Sequence, residues 1–119
     1  MTQPTPDVTS ADLARLVRRD YPPDRTAEVF TVLESYGTEK WHIEAHRVRA
    51  AVLKLAAGDL EQLRNRIGQA RSDWRDVLSE AEYPGYTKVW SRIDKFPPEK
   101  RQQVIDKDWR QYQEWFTRA

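Results

Sequence analysis

His42 and His46 are the only two histidines in the chain, four residues apart in "WHIEAH" with Glu44 between them. On a helix, positions i and i+4 share a face, so the pair has the spacing of two metal ligands. Zinc hydrolases of the H-E-x-x-H type place their general base one residue after the first histidine. Glu44 follows His42 by two, and at about 100° per residue it turns away from both rings. Glu39, three residues before His42, is the carboxylate on the histidines' own stripe. Glu39, His42 and His46 are thus the candidate metal ligands.

A second candidate is Asp108. It falls between Val104, Tyr112 and Trp115, inside or at the edge of an apolar arc. A carboxylate there must be paired or have its pKa raised. Its functional role would be an acid/base group or a cation site; its structural role would be a bond to an arginine, an indole N–H or a backbone amide, and the structural role is expected. A third candidate is "YPGYTKVW", where Tyr83, Tyr86 and Trp90 surround Pro84-Gly85. Aromatic side chains in a connector suit partner binding, since Trp and Tyr dominate interface hot spots. The expected structural role is a cap, with these rings folded back over the open end of the domain.

Several chemistries have no residues to carry them. The chain has no cysteine, and no serine lies in a G-x-S-x-G elbow. Its four glycines, at 37, 58, 68 and 85, form no phosphate-binding loop. Positive and negative side chains nearly cancel, at a formal net charge of +1, which gives no general drive toward polyanions. Arg15, Arg18 and Arg19, and the lysines and arginines of the last third, are diluted by aspartates and read as solvated faces. Nucleic acid is therefore an improbable partner. No apolar run approaches the ~20 residues that span a bilayer, and "MTQPTPDVTS" has no secretory pattern. With no disulfide framework, a cytoplasmic location is expected.

The elements that must position these residues read as helices. Residues 1–9, with Pro4 and Pro6, form a flexible N-terminal arm; 10–119 form a single helical domain. Ser10 opens a helix to about Asp20 that buries Leu13, Leu16 and Val17, and Tyr21-Pro22-Pro23 ends it. A second helix spans about Asp24 to Tyr36, stopped by Gly37. Thr38 caps a third to Ala57, with Trp41, Ala45, Val48, Val52, Leu55 and Ala56 as its stripe. After Gly58, Asp59 opens a fourth. Leu60, Leu63, Ile67, Ala70, Trp74, Val77 and Ala81 then step by three and four, a heptad seam. A short helical stretch is expected around Thr87–Ile93. Pro97-Pro98-Glu99 starts the last helix, to about Thr117, whose inner stripe is Ile105, Trp109, Tyr112 and Phe116. The fold class is all-α, a bundle of about five helices around a central antiparallel hairpin, about 38–57 and 59–82.

That hairpin bears on the metal question. Antiparallel register sets His46 level with Arg71 and His42 level with Arg75, on the side of the pair that carries the arginines. Lys40 and Arg47 face Asp73 and Asp76 on the other side. Nearby cations disfavour a bound metal, so both histidines are expected to be helix-surface residues.

The run "RVRAAVLKLAAGDLEQL…ARSDWRDVLSEAEYP" resembles small bacterial proteins with a helix–Gly-Asp–helix hairpin ending in "AEYP". Some of these also carry a helix similar to "DWRQYQEW" near the C-terminus. The resemblance covers roughly 41–84 and 106–116. It implies a bacterial, all-helical protein and brings no assigned activity with it.

The residues together predict a non-enzymatic interaction or accessory protein without a cofactor, binding a protein partner or itself through Tyr83, Tyr86 and Trp90. The competing class is a metal- or small-ligand-dependent bundle, using Glu39, His42 and His46, or Asp108 with the 83–90 segment. Weak nucleic-acid binding ranks third.

Overall fold

A computed structural model describes residues 3–119, and the chain is all-helical. Among the described residues, six α-helices follow in order: α1 Ser10–Asp20, α2 Thr26–Glu34, α3 Ala45–Ala56, α4 Leu60–Glu82, α5 Pro84–Val89 and α6 Pro98–Thr117. Short 3-10 turns, Pro23–Arg25 and Trp90–Lys95, precede α2 and follow α5. Among the described residues, no helix is long and apolar enough to cross a membrane.

Thr9, not Ser10, caps α1, exchanging bonds with Asp12 in a capping box. Leu13, Leu16 and Val17 are buried as the spacing predicts. Residues 3–9 form no helix, yet Pro6 and Val8 are buried; positions 1 and 2 of the predicted arm lie outside the described residues.

The predicted third helix is cut by a third. α3 begins at Ala45, because Glu44 sits in the left-handed region at φ 52 and helical geometry cannot run through it. Trp41 therefore leaves the predicted stripe and stands 55% exposed. The remaining helix lies between α1 and α4, and Val48, Ala50, Ala51, Val52, Leu53 and Ala56 are all buried. Ala57 and Gly58, both at positive φ, turn the chain into α4, where Asp59 accepts the Gln62 N–H. A side chain on Gly58 would press within 3.0 Å of the Asp20 carbonyl, so this turn also serves the docking of α1.

The largest departure from expectation lies in α4. Its heptad seam is present, with Leu63, Ile67, Ala70, Val77 and Ala81 buried and Leu60 and Trp74 partly so. The helix is nevertheless broken at Asp73, whose φ −152 and ψ 89 are extended. Arg66 reaches both Glu80 oxygens, at 2.6 and 2.9 Å. In a straight helix those Cα atoms would stand about 21 Å apart, beyond the reach of the two side chains. The arms 60–72 and 74–82 therefore fold toward each other, and Asp73 caps the second arm through the Arg75 N–H.

The bend also replaces the predicted ion pairs. Arg47 does not meet Asp73 or Asp76; it grips buried Glu82 through Nε and Nη2, at 2.6–3.1 Å. The last helix is rotated from its predicted stripe. Ile105, Asp108, Tyr112 and Trp115 face inward, while Trp109 and Phe116 are half-buried.

Arginines expected on a solvated face do structural work instead. Arg15 donates to the Phe116 carbonyl, and Arg19 to those of Trp115 and Arg118, clamping the C-terminal end of α6 to α1. Their guanidinium groups also lie over the Phe116 and Trp115 rings, at 5.2 and 5.4 Å. Arg49 does the same at the end of α2, donating to the Leu33 and Tyr36 carbonyls.

Candidate functional site

His42 and His46 part company in the structure. With α3 starting at Ala45, the helical i, i+4 relation between them does not exist. His42 is not a surface residue: it is 7% exposed, stacked on Tyr36 at 4.6 Å with the edge of Trp41 against it. Its Nδ1 accepts the Gly37 and Glu39 N–H groups, at 3.0 and 3.2 Å. A nitrogen that accepts twice carries no proton, so the ring hydrogen sits on Nε2. The imidazole thus ties the turn after α2, and its Nδ1 lone pair is already engaged. Glu39 and His46 are exposed. Among the described residues, no three His, Cys, Asp or Glu side chains gather as a metal ion would require.

Asp108 resolves as directly. It is 5% exposed, and its two oxygens accept the Gly85 and Tyr86 N–H groups, at 2.8 and 2.9 Å. These are orphan amides of the first turn of α5, so α6 supplies the cap that α5's own sequence lacks. The approach is tight: a Cβ on Gly85 would fall 2.7 Å from Asp108 Oδ1. Pro84 costs nothing at the first helical position, where its missing N–H has no partner to lose. "YPGY" is a helix start built to be held from outside.

That clamp presents the three aromatic residues. Tyr83, Tyr86 and Trp90 line an open groove of about 690 Å³ in the crook of α4 and α5. Tyr83 and Tyr86 are half-buried, while Trp90 stands 67% exposed. Gln69 from the first arm of α4, and Asp76, Ser79 and Glu80 from the second, form the polar wall, and Lys88 also lines it. The Glu80 carboxylate is held by Arg66, whereas Asp76 has no ion-pair partner among the described residues. Among those residues, no other ring or cation stacks on Tyr83, Tyr86 or Trp90, although Tyr36, His42, Trp74, Trp109, Tyr112, Trp115 and Phe116 are all so engaged. The groove has no nucleophile–base pair. Its chemistry is aromatic faces, hydroxyls and one carboxylate without an ion-pair partner among the described residues.

Sequence reasoning found the aromatic side of this groove and missed its wall. Gln69 and Glu80 are eleven residues apart on what reads as one straight helix, and only the bend at Asp73 brings them together. Glu82 was missed for the same reason. It follows Leu78 by four residues, on a face that the second arm buries and the first does not. Burial pushes the Glu82 carboxyl above its ordinary value, against the opposing pull of Arg47.

A second cavity, of about 640 Å³, lies where α1, α3 and α6 end. Lys54 borders it with Arg19 and Arg118, and burial lowers the Lys54 pKa from its usual value. Asp20 and Glu114 line the same space, so its charge is nearly balanced.

No family model, curated protein or solved structure matches this chain.

Proposed function

We propose that the protein is a non-catalytic interaction module of the cytoplasm that docks a segment of a partner protein in the groove of Tyr83, Tyr86 and Trp90. The observation that carries this reading is the presentation of Trp90. A large ring left mostly in water is poorly placed for stability, yet its segment is anchored by the buried Asp108 clamp at Gly85 and Tyr86. Rigid aromatic anchors beside adaptable polar groups are what hot spots are made of. The groove's volume also lies within the usual range of specific pockets. The cysteine-free composition fits a reducing compartment.

The test is affinity capture with the wild-type chain against Trp90→Ala and Tyr86→Ala. A partner retained by the wild type should be lost by both variants while their melting temperatures hold. Retention of the partner by both variants would remove the groove from the account.

A further inference from the structure

The bend in α4 is at odds with its own sequence. From Gln69 to Tyr83 there is neither glycine nor proline, and the seam Ile67, Ala70, Trp74, Val77, Ala81 runs through the break without a skip. Proline and glycine, the usual helix breakers, are absent from this span, and the break falls where a side chain inserts into the helix ladder. The only local device is the Asp73 side chain on the Arg75 N–H. What folds the second arm back is tertiary: Arg47 on Glu82, Arg66 on Glu80, and the α1 arginines on the end of α6. Each of these contacts joins a residue before Asp73 to one after it.

From this we infer that α4 also exists straight, and that the chain then exchanges residues 74–119 with a second copy of itself. In the exchanged dimer each contact across Asp73 re-forms between chains, and only the single hinge residue changes conformation. Straightening restores the helical hydrogen bonds lost at the break, and a one-residue hinge leaves few ways to relax within one chain. These are the conditions under which domain exchange costs least. The consequence for the groove is concrete: Gln69 would come from one chain and Tyr83, Tyr86 and Trp90 from the other. The inference stands on the bend alone and does not depend on what the groove binds.

The chain has no cysteine, so introduced thiols report cleanly. Arg66→Cys and Glu80→Cys chains are unfolded together, refolded at high concentration and treated with a short bis-maleimide. Exchange predicts a band at twice the monomer mass in the mixture and its absence from either variant alone. Because both substitutions break the Arg66–Glu80 pair, wild-type protein refolded in the same way is weighed by light scattering, and a dimer peak is expected. Asp73→Ala, which removes the cap, should enlarge that peak, and two glycines inserted after Asp73 should abolish it. A wild type that stays monomeric at every concentration would overturn the inference. So would a dimer whose mixed sample gives no cross-link, since its chains would then lie side by side without exchange.

Discussion

At the residue scale, the two histidines show how little residue type and spacing say until the backbone is known. His42 supplies one acceptor to two amides of a turn, and His46 supplies nothing to the fold. His42→Ala should therefore cost about 1–3 kcal/mol, the price of part-buried N–H groups left without an acceptor. His46→Ala should stay within about 0.5 kcal/mol of wild type. Urea titrations of the two variants check this, and equal losses would contradict it. Tyr112 makes a second point. Its ring is buried among Trp109, Trp115 and Phe116, but its hydroxyl has no hydrogen-bond partner among the described residues. Tyr112→Phe removes an unsatisfied polar atom and keeps the packing, so it should be neutral or raise stability by up to about 1 kcal/mol. A clear loss would mean that the hydroxyl has a partner.

At the element scale, the fold was legible where a pattern is local and hidden where a tertiary contact overrides it. The burial of Leu13, Leu16 and Val17, the heptad of α4 and the Pro98 start of α6 all follow from spacing and caps. The end of α2 and the start of α3 do not, because they depend on a histidine acceptor, an arginine cap and a left-handed Glu44. The bend at Asp73 is the extreme case: Asp73 can cap a helix, but the heptad runs through it without a skip and no glycine or proline marks it. The candidate site divides the same way. Its aromatic residues are adjacent in sequence, while its polar wall exists only after the bend. α5 is also made by another element, which gives a direct test. Asp108→Ala should cost on the order of 2–4 kcal/mol, since two bonds to a charged acceptor are lost. Amide hydrogen exchange at Gly85 and Tyr86 should then accelerate before the rest of the protein opens. Unchanged protection there would contradict the clamp.

At the scale of the whole molecule, the core depends on rings that carry hydroxyls. Burial raises the pKa of Tyr21, Tyr36 and Tyr112 above the ordinary 10.0, and Tyr21 reaches about 12 with help from the negative charges of Asp20 and Asp59. A raised folded-state pKa means that the unfolded chain gives up its protons first. The stability held by the neutral phenols is complete below pH 10.0 and is lost as pH climbs toward 12 and beyond. The urea midpoint should therefore fall steadily above pH 10, and ultraviolet titration should show these phenols ionising only as the protein unfolds. A midpoint flat through that window would mean that the three rings are not buried as described. The molecule measures 49 × 32 × 22 Å, and the α4–α5 crook is open on one side.

The central claim is that this opening is where the protein meets its partner, and the five tryptophans give a direct reading of it. Their indole N–H signals in a nitrogen–proton spectrum report separately on Trp41, Trp74, Trp90, Trp109 and Trp115. Titration with a captured partner should move the Trp90 signal strongly and leave Trp41 and Trp115 where they were. A shift at Trp41 with Trp90 unmoved would put the interface on the His42 turn and contradict the account.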